Sequence, residues 1–385
     1  MPEIPKSRLL VVDDDRVNRL VMQRYLETEG HQVSLAADGE EALGLLARKT
    51  FDMVLLDIEM PGMNGFQVLE KMTADPLLRE VPVVVVSGVE GLDSVVRCIQ
   101  MGAEDYLTKP VNRVLLKARI DASLEKKLLR DRQSTLLKRL QREMEIAQHT
   151  QMSILPERLP EPAGYTFGAL MKPARSVGGD FYDAIPMGEE RWGLVVGDVS
   201  DKGLPAALFM TLTYSLIRVE ATQNKGPGQA LRDVNKYLLE MNNENMFVTV
   251  LCGLLNCREH SFHYARAGHP LPIWISPEGL PLAFEKRPSQ ALGLFEDPQI
   301  DEGIIQIPAG SLMVMYSDGL SEAVNPEGKQ LGHSGLEARL RSTHQLSPGA
   351  VCLDFWQYVQ TYCGGSEQQD DFTVLAFHRE NQSLA

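Results

Sequence analysis

The chain has 385 residues, 44% hydrophobic and 23% charged, with a net charge of −14. That length suits two or three globular domains, and that charge argues against bulk electrostatic binding to nucleic acid or an anionic membrane surface. No apolar run approaches the ~18 residues of a membrane span, and the start, Met-Pro-Glu-Ile-Pro-Lys-Ser-Arg, lacks the apolar region of a signal peptide. The cysteines (98, 252, 257, 352 and 363) have no CxxC spacing, so reduced thiols and a cytoplasmic location are expected.

Over residues 1–120, short apolar runs (9–12, 33–35, 53–56, 83–86 and 106–107) alternate with helical patterns such as 17–29, 40–47 and 66–73. Near-continuous apolar strands in βα alternation predict a doubly wound, parallel five-stranded sheet covered on both faces. In such sheets ligands bind beyond the carboxyl ends of the strands. The polar residues fall there: Asp13-Asp14-Asp15 after the first strand, Asp57 after the third, Ser87 ending the fourth, Lys109-Pro110 after the fifth. A carboxylate that attacks phosphorus needs its own charge and the phosphoryl charge neutralised. Neighbouring acids with Mg²⁺ and an ammonium supply that.

With Leu55-Leu-Asp-Ile-Glu-Met-Pro-Gly-Met-Asn-Gly, this set resembles the receiver domain of response regulators over its full length. The resemblance implies that Asp57 accepts the phosphoryl group and that Asp13 and Asp14 bind Mg²⁺ with Asp57. The Glu59 backbone carbonyl would be a further ligand. It also implies that Lys109 contacts the phosphoryl group, and that Ser87 and Tyr106 form a switch pair. The partner implied is a histidine kinase or phosphotransfer protein. Asp15 receives no role and is expected at the surface.

Residues 111–155 hold almost no Gly or Pro, and a long helical linker is expected over 121–158. Between Arg113 and Glu145, ten Lys/Arg face five Asp/Glu. Leu137, Leu140, Met144, Ala147, Gln151 and Ile154 approach a 3.5-residue spacing, broken further back by Lys127, Arg130 and Gln133. A two-stranded coiled coil, and with it a homodimer, is one expectation; a single solvated helix is the other. No aromatic interleaving or recognition-helix pattern accompanies the basic charge, so nucleic acid is not an expected partner. Pro156 and Pro160 stop the helix.

From 159 to 385, strand-like runs recur at 194–196, 247–255, 262–265, 272–275, 304–307, 312–316 and 373–377, with helical stretches at 204–222, 227–240 and 348–364. Many strands with clustered helices predict an α+β fold of two stacked sheets flanked by helices. Four acids stand beside strands: Asp180, Asp198, Asp318 and Asp370. Carboxylates at several strand ends can hold hard divalent cations, which take oxygen ligands, so one converged two-metal site is expected.

The blocks Gly178-Gly-Asp-Phe-Tyr-Asp, Gly197-Asp-Val-Ser-Asp-Lys-Gly-Leu-Pro-Ala-Ala-Leu, Ala267-Gly-His-Pro-Leu-Pro, Tyr316-Ser-Asp-Gly-Leu-Ser-Glu-Ala and Asp370-Asp-Phe-Thr occur in order. Together they resemble the metal-dependent PPM-type serine/threonine phosphatases, in particular the RsbU/SpoIIE branch. The block 142–156 resembles the helix preceding that catalytic core. The resemblance implies an αββα sandwich and two Mn²⁺ or Mg²⁺ ions about 3.5–4 Å apart that activate a water. It implies Asp198 as bridging ligand and catalytic centre, the Val199 carbonyl completing one shell, Asp180 on one cation, and Asp318 and Asp370 on the other. Asp183 and Asp371 are candidate supports, and Asp371 could exchange roles with Asp370. Gly197, Gly203 and Gly319 are expected to let the backbone approach the ions. Asp201 stands where relatives often carry glycine, and aspartate tolerates the left-handed region better than most residues. His269 is expected to fix a loop, Ser311 to be without consequence, and Arg175 either to bind substrate or to lie on the surface.

The expected function is a two-component response regulator. Aspartyl phosphorylation would control dephosphorylation of a phosphoserine or phosphothreonine protein, by family analogy of the anti-sigma-factor-antagonist type. The alternative is a non-catalytic adaptor that uses a phosphatase-like domain to bind a partner.

Overall fold

The computed structural model describes residues 6–88, 92–188, 190–242, 244–366 and 368–381. Residues 1–5, part of the start read above for a signal-peptide pattern, lie outside the described residues. The chain divides into two compact units between Leu140 and Gln141.

In the first unit, β1 (Arg8–Val12), β2 (Gln32–Ala36), β3 (Met53–Leu56), β4 (Val83–Ser87) and β5 (Asp105–Thr108) form a parallel sheet in the order β2-β1-β3-β4-β5. They alternate with α1 (Arg16–Thr28), α2 (Gly39–Leu46), α3 (Gly65–Ala74), α4 (Leu92–Gln100) and α5 (Arg113–Ile154). Alternate strand residues point to opposite faces. Leu10, Val12, Val54 and Leu56 pack under Ala42, Val68, Leu69 and Cys98. Leu9, Val11, Leu55 and Val84 pack under Leu26, Leu116, Ile120 and Leu124. Both faces are dry, which is why the strands read as unbroken apolar runs. The strand order reverses between β1 and β3 and so opens a crevice beyond their carboxyl ends. α4, with its β-branched Val95-Val96, carries a weak helical signal.

Helix α5 runs 42 residues. Its start contributes Leu116, Ile120 and Leu124 to the first core; residues 131–143 are exposed. Near its end Gln151 is buried, and Leu155 just beyond it enters a core of the second unit.

The second unit contains β6 (Tyr165–Lys172), β7 (Phe181–Pro186), β8 (Arg191–Val199), α6 (Leu204–Ala221), α7 (Pro227–Met241), β9 (Val248–Asn256), β10 (Ser261–Ala267) and β11 (Ile273–Ile275). β12 (Asp301–Gln306), β13 (Leu312–Tyr316), α8 (Asp318–Ser321), α9 (Gly332–Thr343), α10 (Pro348–Tyr362) and β14 (Phe372–Arg379) complete it. Two antiparallel sheets form, β12-β10-β9-β8-β7 and β11-β13-β14-β6. Between them Leu194, Val196, Leu251 and Phe262 of one sheet meet Met313, Met315, Leu375 and Phe377 of the other. Helices α6 and α7 cover the outer face of the first sheet, and α9 and α10 that of the second. The expected αββα sandwich is present.

The sequence reading passed over β6, β7 and α9. β6 carries Gly168, which looks like a strand breaker. A Cβ there would stand 2.3 Å from the Gly349 backbone nitrogen, so the glycine lets α10 lie on the sheet. β7 is an edge strand ending in Pro186, where proline is tolerated. α9 has two buried leucines, Leu336 and Leu340, among glycines and polar residues. Among the described residues no helix is long and apolar enough to cross a membrane.

Phe377 is fully buried between the sheets, its ring 5.7 Å from that of Phe262 and 5.9 Å from that of Phe167. Phe377→Ala is expected to lower the second unit's unfolding free energy by about 3–5 kcal/mol. Chemical denaturation followed by tryptophan fluorescence measures this, all three tryptophans lying in that unit; a loss below about 1 kcal/mol would contradict a packed inter-sheet core.

Candidate functional site

In the first unit the crevice beyond β1 and β3 collects the acids. Carboxylate oxygens of Asp13, Asp14 and Asp57 lie within 4.8 Å of one another. The Lys109 ammonium bonds Asp13 Oδ2 at 2.8 Å and Asp57 Oδ2 at 2.5 Å. Burial raises the Asp57 pKa, and Lys109 opposes that rise through its hydrogen bond and charge. Three acids with one lysine leave a net negative pocket of oxygen donors, which fits a small hard cation. The Glu59 backbone N–H donates to Asp57 Oδ1 at 3.2 Å. This puts the Glu59 backbone beside the same crevice.

Ser87 is fully buried at the end of β4. Tyr106 on β5 stands opposite Val85, so Ser87 is its diagonal neighbour on one face. A hydrogen bond joins the two hydroxyls; burial raises the Tyr106 pKa and that bond opposes it. Asp15 is not merely surface: its carboxylate caps α1, accepting from Val17 N (2.6 Å) and Asn18 N (3.0 Å). Those two bonds, Asn18's first, lower its pKa. Arg19, which the sequence did not flag, donates from Nη1 to the carbonyls of Asp13 (2.5 Å) and Asp14 (2.9 Å) and fixes the acidic turn. Only an arginine one helical turn beyond the acids could have hinted at it.

In the second unit the acids come from both sheets. Asp180 immediately precedes β7 and Asp198 is the penultimate residue of β8. Asp318 follows β13 and opens α8, and Asp370 lies two residues before β14. The Asp198 carboxyl lies close to those of both Asp180 and Asp318. The four do not close on one point as tightly as the first unit's acids; Asp198 stands between the others. Asp180 is fully buried and accepts from Ser317 Oγ at 2.6 Å. Asp370 accepts from Asp371 N at 2.9 Å and pairs with Lys202 at 3.0 Å.

Burial first, then the negative charges of neighbours, pushes Asp180, Asp198 and Asp318 above the usual carboxylate range. The charges acting most strongly on Asp198 are Asp180, Asp318 and Asp370, all negative. Burying ionised carboxylates together without compensation is costly. Oxygen-only donors around a central shared acid fit a pair of divalent cations. The Val199 carbonyl lies against the loop bearing Asp180, 2.8 Å from where a Gly179 Cβ would stand.

The two adjacent acids separate in role. Asp371 spends both oxygens on backbone, accepting from Ala174 N (2.8 Å), Gly179 N (2.7 Å) and Asp180 N (3.4 Å). It therefore holds the 174–180 loop, whereas Asp370, half-buried, takes the Asp371 N–H on one oxygen and Lys202 on the other. Asp183 faces α6, pairing with Arg218 at 3.2 Å, and takes no part at the acids. Gly197 needs its hydrogen for the Phe181 ring, which a Cβ would meet at 2.4 Å, rather than for approach to an ion. Gly319 does permit a close approach, its missing Cβ falling 2.0 Å from the Asp371 carbonyl. Asp201 adopts φ +68°, so the turn survives without glycine. His269 is buried and shares a 2.8 Å hydrogen bond through Nδ1 with Thr249 Oγ1. Burial lowers its pKa to about 3, so it stays neutral and fixes its loop. Arg175 is exposed, close to Gly203, and Ser311 is buried, donating to Pro308 O at 2.8 Å. Sequence reasoning missed Ser317, Lys202 and Gln151; Ser317 and Lys202 stand inside recognised blocks, where an eye on the acids alone passes over them.

Residues 188–380 match the family model described as stage II sporulation protein E (SpoIIE), and residues 9–121 match the response regulator receiver domain. The chain is 30% identical to protein IcfG of Synechocystis sp. over 266 residues, 62% of this chain and 41% of that protein. It is 41% identical to the response regulator PleD of Caulobacter vibrioides over 125 residues, 32% of this chain and 28% of that protein. It thus spans less than half the length of either. It is 27% identical to the phosphoserine phosphatase RsbU of Bacillus subtilis over 243 residues, 62% of this chain and 70% of that protein. Among solved structures, the SiaA-PP2C domain of Pseudomonas aeruginosa matches with a TM-score of 0.56 at 22% identity. The match covers 64% of this chain and 98% of that one and supports the fold.

The raised carboxylates have a consequence for stability. Without metal, the folded second unit holds protons at Asp180, Asp198 and Asp318 that the unfolded chain releases above about pH 4. Metal-free stability should therefore fall as pH rises from about 5 to about 8. Cations bind only the ionised acids, so the melting-temperature gain from Mn²⁺ should grow over the same range. Melting scans in chelator and in Mn²⁺ test this; parallel pH slopes would show that the acids do not share a cation.

Proposed function

The chain belongs to the stage II sporulation protein E family and carries a response regulator receiver domain ahead of the family's domain, and from this we propose a response regulator whose output is metal-dependent dephosphorylation of a phosphoserine or phosphothreonine protein. A histidine kinase or phosphotransfer protein would supply the phosphoryl group to Asp57. Asp13 and Asp14, with Asp57 and the Glu59 carbonyl, would hold Mg²⁺ beside it. Lys109, already on Asp57, would pair with the phosphoryl oxygens. The buried Ser87 and its partner Tyr106 would report the modification away from the crevice.

In the output unit Asp180, Asp198, Asp318 and Asp370, with the Val199 carbonyl, would hold two Mn²⁺ or Mg²⁺ ions. Such a pair, when bound, neutralises phosphoryl oxygens and supplies a nucleophile from water at neutral pH. The chain's own part is placement. Asp198 stands between Asp180 and Asp318, Ser317 orients Asp180, and Asp371 fixes the loop that carries it. The observation that carries the reading is this burial of mutually repelling acids at strand ends of both sheets. It also speaks against a non-catalytic adaptor, which would have no use for so costly a cluster. The similarity to the phosphoserine phosphatase RsbU supports a phosphoserine substrate, and the family analogy extends the proposal to a protein of the anti-sigma-factor-antagonist type.

Leu137 and Leu140 are 58% and 46% exposed on α5, and their spacing supports a two-stranded coiled coil between copies. Sedimentation should give a dimer that Leu137→Glu with Leu140→Glu converts to monomer. An unchanged mass would remove the coiled-coil reading.

Asp198→Ala should abolish Mn²⁺-dependent hydrolysis of a phenyl phosphate, exceeding the ~10–100-fold typical of losing an outer hydrogen-bond partner. A phosphoryl donor should change the rate on a phosphoprotein substrate in the wild type and leave Asp57→Asn unaffected. Full activity in Asp198→Ala would sink the catalytic reading, and identical responses of wild type and Asp57→Asn would sink the regulatory one.

A further inference from the structure

Gln151 is 4% exposed on the last turn of α5, and both ends of its amide are committed to one residue. Nε2 donates to Gly178 O at 2.7 Å, and Oε1 accepts from Gly178 N at 3.1 Å. The side chain thus pairs with a backbone segment as a neighbouring strand would. Gly178 lies two residues before Asp180. On the loop's other side, Asp371 accepts from the N–H groups of Ala174 and Gly179. The fit is tight: a Cβ on Gly178 would fall 2.2 Å from Asp371 Oδ2. The loop carrying Asp180 is therefore gripped between a carboxylate at the head of β14 and an amide on a helix.

The two grips differ in what moves them. Asp371 precedes a strand hydrogen-bonded on both sides in the sandwich. Gln151 belongs to a helix whose other end contributes Leu116, Ile120 and Leu124 to the receiver core. The same helix end is tied to α6, where Tyr214 donates to Ile154 O at 2.9 Å. A helix shift of ~1–2 Å is enough to break both Gln151 bonds, because such bonds fade beyond about 3.2–3.5 Å.

We propose that Gln151 is a positioning residue that conveys the seating of α5 to the Asp180 loop and so sets cation affinity in the second unit. This rests on the reading of that unit as a receiver-controlled metal site. Gln151 touches neither substrate nor cation; it acts through Gly178. Loss of an outer partner of this kind costs ~10–100-fold in metal affinity.

The test uses the full chain and two variants. Gln151→Ala removes the amide, and Gln151→Met removes both bonds while keeping the volume, so it serves if the alanine variant folds poorly. Two readouts need no turnover: Mn²⁺ titration by calorimetry, and hydrogen exchange of a peptide covering 172–183, each with and without beryllofluoride as a phosphoryl mimic on the receiver. Both variants should bind Mn²⁺ ~10–100-fold more weakly and exchange faster at Gly178 and Gly179. Beryllofluoride should alter exchange of the wild-type peptide and leave that of the variants unaltered. Wild-type Mn²⁺ affinity and protection in Gln151→Met would overturn the positioning role. A wild-type peptide indifferent to beryllofluoride would overturn the conveying role. A chain that binds Mn²⁺ as expected yet hydrolyses nothing would count against the phosphatase reading alone.

Discussion

Acids that repel one another, held in a space too dry to screen them, are the constraint around which the second unit is built. Asp180 and Asp198 come from the first sheet, Asp318 and Asp370 from beside the two inner strands of the second, and the sandwich brings them together at one end. The inter-sheet packing of Leu194, Val196, Met313, Met315 and Phe377 supplies the free energy that offsets this crowding. A bound cation pair would turn the same crowding into a binding site, and metal affinity and fold stability would then be two faces of one interaction.

The receiver meets a smaller version of that problem with a different remedy. Its three acids cluster more tightly, and Lys109 already lies on two of them. The pocket is therefore partly neutralised before any cation or phosphoryl group arrives, and the lysine is placed to follow the charge on Asp57. On the proposed reading, burial of Asp57 would restrict its reaction to donors that dock in the crevice. On the same reading, the Ser87–Tyr106 contact would give the charge change a path to the face that β5 presents.

One unbroken helix spans the boundary between the units and adds side chains to a core of each. At its start the contacts are apolar, through Leu116, Ile120 and Leu124. At its end Ile154 packs on the second unit's core, and a polar, directional contact is added, the Gln151 amide on the Gly178 backbone. Apolar packing tolerates small slides, whereas a paired hydrogen bond is formed or lost over about an ångström. On the proposal above, the Gln151 pair would turn a graded shift of the helix into a two-state change at the loop that carries Asp180.

The sequence by itself determined the receiver almost completely, because its chemistry lies on short turns directly after apolar strands, and local order places it. Asp13, Asp57, Ser87 and Lys109 were legible that way, and so were the four downstream acids, each beside a strand-like run. What only the tertiary structure decided is which neighbour of each pair does what. Asp371 gives its oxygens to the amides of the 174–180 loop while Asp370 meets Lys202, and Asp183 turns to Arg218; nothing in the adjacency of two acids separates them. The same holds for Gln151, since its partner lies 27 residues away. Strand β6 and the packing reason for Gly197 were hidden likewise, because a glycine in a sequence does not say which distant atom needs its missing side chain. Periodicity and spacing are local quantities, and those assignments were made by contacts between segments that the fold, rather than the chain order, brings together.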